Sequence, residues 1–174
     1  MALIKTVRGF TPEYGKNCYL AENSTIIGDV VIGDYCSIWF QTVIRGDVNS
    51  IRIGNKVNIQ DGAVLHCLYE RSKILIGTNV SIGHNVIIHG ATLKDNVLIG
   101  MGAIVMDNAI IGENSIIAAG AVILEGTIVE PGSIYAGVPA RFMKKVNQEQ
   151  AAEMIDKIAN NYLFYAGWYT DEKK

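Results

Sequence analysis

"IGTNVSIGHNVIIHG", residues Ile76 to Gly90, places Ile76, Ile82 and Ile88 six residues apart. Six suits no helix, whose faces return after three or four residues. It suits a short strand with alternate residues turned inward, followed by a corner. The same step spreads outward in both directions. Ile-Gly recurs at 32–33, 53–54, 76–77, 82–83, 99–100 and 111–112, and Ile38, Ile44, Ile59, Leu65, Ile88, Val105, Ile117 and Ile123 fill steps between. The small residue after the apolar one is expected to let the backbone turn tightly. Three strand-and-corner units close one triangular coil. Repeats from about Thr11 to Ile134 therefore predict a mainly β fold, a parallel β-helix over about residues 11–138, within one domain spanning 1–174.

The composition agrees. A length of 174 residues suits one domain. The chain is 49% hydrophobic but only 8% aromatic, with 18 glycines, which favours strands and tight turns over a helical bundle. Its 15 basic and 17 acidic residues nearly balance and form no basic stripe, which argues against a nucleic-acid partner. No segment reaches the roughly 18 uninterrupted apolar residues of a membrane span, and the opening "MALIKTVRGF" lacks the pattern of a signal peptide. Cys18, Cys36 and Cys67 are odd in number and without CxxC spacing. They read as reduced thiols in a cytoplasmic protein. Cys36, two residues before inward-facing Ile38, is expected inside the coil.

"GVPARFMKKV" ends the repeats, with Pro139 breaking the strand pattern. A C-terminal α-helix follows, over about residues 147–166. Asn147 can cap it, with Gln150 three residues on. Met154, Ile155, Ile158, Tyr162 and Leu163 form an apolar stripe at helical spacing, which should pack on the outside of a β-helix, its own or a neighbour's.

The register also places the chain's three histidines. Leu65 and Ile76 are eleven residues apart, one hexad plus five, and the extras are assigned to a protruding loop within "CLYERSK". Ile88 then lies one full coil beyond Leu65. His66 and His89 immediately follow these residues, so they occupy equivalent positions in adjacent coils, about 4.8 Å apart, the spacing of neighbouring strands. His84, two residues after Ile82, falls at the preceding corner, on another edge. A rotational assembly of three copies would bring the His84 corner of one against the His66/His89 edge of the next. Singly, an imidazole at a turn is solvated or caps a carbonyl. Two stacked in register read instead as ligands of one cation. Three neutral imidazoles leave an open position for water, as in catalytic zinc sites. The cation would lower the pKa of that water toward neutrality and so yield a hydroxide nucleophile. Cys67 reads as a small packed residue rather than a fourth ligand, because successive positions at a β corner diverge.

The hexads resemble the hexapeptide-repeat family, whose fold is a left-handed parallel β-helix. The left hand comes from that resemblance, since parallel crossovers are generally right-handed. Within that family, "RGD" at Arg45–Asp47, "NIQDG" at Asn58–Gly62, His66 and "HNVIIH" at His84–His89 resemble the γ-class carbonic anhydrases over nearly the whole chain. The resemblance implies reversible hydration of CO2 to bicarbonate in a homotrimer with metal sites between subunits. One divalent metal per subunit is implied, usually zinc, with iron or cobalt possible. His66, His84 and His89 would be the ligands. Gln60 would orient the bound water or bicarbonate, and Asn58 would support Gln60. Arg45 and Asp47 would pair across the subunit interface, with Asp61 in the same network. Tyr162 would match the family's active-site tyrosine. The chain departs from the family at two places. Val48 and Tyr69 stand where the best-studied archaeal-type members carry proton-shuttling glutamates. Glu70, adjacent, could substitute if its loop bends inward.

Two other functions remain open at this stage. "AGVPAR" at Ala136–Arg141 is common in hexapeptide acyltransferases that use acyl-coenzyme A. Arg141, Lys144 and Lys145 could meet coenzyme phosphates, although they read more simply as a solvated basic edge. The other is a metal-binding trimer without carbonic anhydrase activity.

Overall fold

The computed structural model describes residues 1–171, and for residues 148, 150–152 and 171 the backbone alone. The chain winds into a left-handed parallel β-helix of about seven turns, closed by one C-terminal helix. Each strand is two or three residues long where the hexads are regular, and one residue in each points inward. Val64–His66, for example, buries Leu65 and turns Val64 and His66 out. Strand register then stacks the inward residues into three columns. Ile44, Leu65, Ile88, Val105 and Ile123 form the first. Ile53, Ile76, Leu93, Ile111 and Val129 form the second. Ile38, Ile59, Ile82, Ile99 and Ile117 form the third. All are buried, and each contributes about 1.5–3 kcal/mol of hydrophobic stabilisation. Cys36 joins this core, as expected, and so does Cys67.

The glycines after the apolar residues do a different job from the one expected. Gly54 has no positive φ, but a Cβ on it would lie 2.6 Å from the carbonyl oxygen of Gly77 in the next coil. It is a spacer that lets coils stack. The tight turn falls further on, where Asn79, Asn85, Asn96, Asn108 and Asn114 take φ of 55–59°. Asparagine tolerates that left-handed conformation better than most residues.

Two departures from the hexad shape one edge. The strand Val43–Ile53 runs straight through a corner, pairing with Val64–His66 at one end and Ile74–Ile76 at the other. Its register against Thr25–Ile32 shifts after Gly28, and the extra residues make a lip that carries Asp47. The expected loop after Cys67 forms as a turn at Tyr69–Arg71.

At the ends the structure extends the sequence reading. The parallel ladder begins at Leu3–Lys5, ahead of residue 11, paired with Thr25–Ile27. Past Gly137 the chain reverses, and Ala140–Lys145 pairs antiparallel with Ser133–Gly137. The helix runs Gln148–Asp171, longer than the expected 147–166. Asn147 Oδ1 accepts from the Glu149 N–H at 3.1 Å, an N-cap; the part expected of Gln150 lies outside the described side chains. The helix packs on its own β-helix, against the face bearing Ser37–Ile38 and Ser81–Ile82. Among its described side chains Ile155, Ala159 and Ala166 are buried, while Met154 is exposed. The stripe is thus rotated from the one expected, with Ala166 packed in one cluster with Tyr19, Ala21 and Trp39. Tyr162 and Tyr169 of the helix meet Tyr19 and Trp39 of the β-helix in a ring cluster, and Lys56 pairs with Asp156 at 2.5 Å. No helix among the described residues is long and apolar enough to cross a membrane.

Candidate metal centre

His66 and His89 pair in register on adjacent strands, and both side chains point out of the coil. Asp47 Oδ1 lies 3.2 Å from His66 Nε2, and Asp107 Oδ2 lies 2.7 Å from His89 Nδ1. An ionised carboxylate only accepts, so each of these ring nitrogens donates. The two nitrogens that remain, His66 Nδ1 and His89 Nε2, face each other as acceptors at 3.3 Å. Two nitrogens each about 2.0–2.1 Å from one tetrahedral ion stand about 3.3–3.4 Å apart. The donor set therefore fits a divalent cation. A carboxylate behind each imidazole is also the usual way of fixing the tautomer of a metal-ligating histidine.

His84 stands at the corner after Ser81–Ile82, a strand of a different sheet from the strands that carry His66 and His89. Its Nδ1 lies 2.9 Å from Asp61 Oδ2, leaving Nε2 free of the carboxylate and 3.4 Å from the Tyr162 hydroxyl. Beside it, Gln60 Nε2 donates to Asn58 Oδ1 at 2.9 Å, and Asn58 Nδ2 donates to Ser81 Oγ at 2.6 Å. Gln60 and Asn58 are both buried, so this chain of amides is held rigidly. Among the described residues, no three metal-ligating side chains converge within the one chain. One edge carries two histidines and another corner carries the third, with Gln60, Asn58, Asp61 and Tyr162.

The electrostatics favour a neutral imidazole at His66. Burial, and then the Arg45 charge, lower the His66 pKa, against the pull of Asp47. Burial raises the Asp47 carboxyl, but the Arg45 hydrogen bond and charge, with His66, outweigh it and hold it below the usual range. Asp107 is lowered in the same way, burial being overcome by bonds from Ser72 and His89. Tyr162 is pushed up to about 12, first by burial and then by Asp61, so its hydroxyl stays protonated. Within the one chain Arg45 pairs with Asp47 at 2.6 Å, two residues apart on the strand Val43–Ile53. Val48, Tyr69 and Glu70 line one cleft of about 370 Å³ with Asp47. Arg8 lies over the Tyr69 ring at 5.5 Å.

Asp107 and Ser72 are site residues that the sequence reading missed. Ser72 donates to Asp107 Oδ1 at 2.5 Å. Asp107 lies 18 residues beyond His89, but strand register sets Ile88 against Val105, 17 residues on, so counting along the coil does not mark Asp107 as the partner.

The bacterial transferase hexapeptide (six repeats) family matches residues 15–46 and 90–125. A probable carbonic anhydrase of Methanocaldococcus jannaschii is 53% identical over 86% of this chain and 91% of its own length. Gamma carbonic anhydrase 3, mitochondrial, of Arabidopsis thaliana is 51% identical over 80% of this chain and 56% of its own length. Among solved structures, a Bacillus cereus protein described as a putative acetyltransferase superposes with a TM-score of 0.93 at 35% identity, over 98% of each chain. With identity this high across nearly its whole length, the chain belongs to the γ-carbonic anhydrase family of hexapeptide-repeat proteins.

Proposed function

We propose that this protein catalyses the reversible hydration of CO2 to bicarbonate as a homotrimer. His66 and His89 of one copy and His84 of the next would hold one divalent metal per subunit, zinc in the first place and iron or cobalt as alternatives. The observation that carries the reading is the facing pair His66 Nδ1 and His89 Nε2 at 3.3 Å, each with a carboxylate on its far nitrogen. Two imidazole lone pairs turned toward each other repel unless a cation lies between them.

When bound, the metal supplies Lewis acidity that brings the pKa of a coordinated water toward neutrality. The chain's own groups do the rest. Gln60, held by Asn58, presents an oriented amide at the corner that carries His84. Asp61 keeps the proton of His84 on Nδ1. Tyr162, protonated at every physiological pH, offers a hydroxyl beside His84 Nε2. Glu70, in the cleft that Asp47 borders, is the carboxylate suited to passing protons to bulk water where the family's glutamates are replaced by Val48 and Tyr69. A reducing, cytoplasmic compartment fits the three free thiols.

The test joins elemental analysis with stopped-flow CO2 hydration. The expected result is about one metal per subunit, and loss of both metal and activity in His89→Ala. Hydration equal in wild type and His89→Ala would sink the reading. Acyl transfer is the second reading, favoured by the match to the transferase hexapeptide family. Saturable binding of acetyl-coenzyme A in calorimetry, without metal, would put it first. A metal-loaded trimer inactive toward CO2 would leave the metal a structural role.

A further inference from the structure

We propose that Ser72 and Asp107 are positioning residues, which lock His89 as a metal ligand and couple it to the turn at Tyr69–Arg71. This rests on the metal-site reading above. Asp107 uses both oxygens: Oδ2 faces His89 Nδ1 at 2.7 Å, and Oδ1 accepts from the Ser72 hydroxyl at 2.5 Å. The Ser72 oxygen in turn accepts from the Leu68 N–H at 3.0 Å. A continuous line of bonds thus runs from the backbone at the start of the turn to the ring of His89. Ser72 is 3% exposed and Asp107 8%, and a buried carboxylate persists only when its oxygens are bonded.

Gly90 gives an independent reason to see this as built. It follows His89 at φ 60°, and a Cβ on it would fall on the Ser72 oxygen and Asp107 Oδ1. The missing side chain is the space in which Ser72 and Asp107 meet. The three carboxylates behind the histidines also differ. The side chains of Asp47 and Asp61 are 24% and 43% exposed, against 11% for Asp107. Asp47 is braced by Arg45 at an open edge, whereas Asp107 is braced by Ser72 and shielded from water as well. Ser72 fixes the rotation of the Asp107 carboxylate. The carboxylate then keeps the His89 proton on Nδ1 and aims Nε2 at His66.

The experiment uses the assembled protein, with zinc affinity measured by competition against a chromophoric chelator and the visible spectrum of the cobalt form. Asp107→Asn should weaken zinc binding by about 10- to 100-fold, the usual cost of losing such a partner. Ser72→Ala and Gly90→Ala should each weaken it by about tenfold and shift the cobalt bands. Because Ser72 acts through Asp107, the double variant should bind no worse than Asp107→Asn alone. Thermal midpoints of the metal-free forms separate a merely structural role. Midpoints that fall while zinc affinity and cobalt bands stay as in wild type would overturn the relay, as would strictly additive losses. If Asp107→Asn does not assemble, Ser72→Ala, which keeps the carboxylate on His89, decides alone. Wild type that takes up neither zinc nor cobalt would remove the metal-site reading and this inference together. Wild type that binds with every variant unchanged would remove only this inference.

Discussion

At Cys18 the first coil presents a thiol whose chemistry is set by the residue stacked beside it. Tyr19 pairs with Ser37 and Leu20 with Ile38, which aligns Cys18 with Cys36 in the next coil. The Cys36 hydrogen bond, outweighing burial, lowers the Cys18 thiol to about 7. Bonding to Cys18 and burial push Cys36 up, and burial pushes Cys67 up to about 11. A thiolate is the reactive form. At neutral pH iodoacetamide should therefore modify Cys18 ahead of the other two. Its rate should fall as pH drops below about 7, since a lowered pKa keeps the thiolate only above that value. Peptide mass spectrometry across pH 5–9 checks this; equal labelling of all three cysteines would contradict it. The same rule of neighbours made His66 and His89 legible in the sequence, because register arithmetic carries from Leu65 to Ile88. Asp107 was not legible, because nothing local to it in sequence marks its partner one coil away.

Elements here are held by stacking more than by local propensity. Two-residue strands have no stability of their own, so each coil depends on the fit to the next. Gly54→Ala puts a methyl against the Gly77 carbonyl and should lower stability by about 1–3 kcal/mol, as overpacking does; denaturant unfolding measures it. The helix depends on its aromatic seat. Burial, and then the Glu22 charge, push Tyr19 up to about 12. A pKa raised in the folded state adds stability that is complete below the unfolded value of about 10 and is lost as pH rises toward about 12. The helix should therefore come away from the β-helix between those values. Phenolate absorbance should show Tyr19 among the last of the eight tyrosines to ionise, in step with loss of near-ultraviolet dichroism. A Tyr19 that ionises with the exposed tyrosines, near the unfolded value of about 10, would contradict the assignment.

At the scale of the whole molecule, the face that carries His66 and His89 is also apolar on its outside. Val43, Val64, Ile87, Ile104 and Val122 align outward in one column, and Ile87 is 39% exposed. A β-branched stripe beside the histidine pair of the proposed metal site suits a contact with another copy. Ile87→Glu should give monomers by light scattering. It should also lose the metal, because the proposed triad is then divided. A monomer that keeps one zinc per chain would refute the interfacial site.

The six-residue period by itself determined the coil, its inward residues and the stacking of two histidines, because each follows from counting along a regular strand-and-corner path. Only the tertiary structure decided what occupies the irregular places. It set the left-handed turn conformation further along each corner, on asparagines and on glycines such as Gly90, since the glycines after the apolar residues face the next coil with no room for a Cβ. It rotated the helix stripe, since Trp39 chooses which face fits. It built the lip that carries Asp47, since residues 47–50 are extra against Thr25–Ile32 and break the hexad. It joined Ser72, Asp107 and His89, since they come from three segments that only winding brings together.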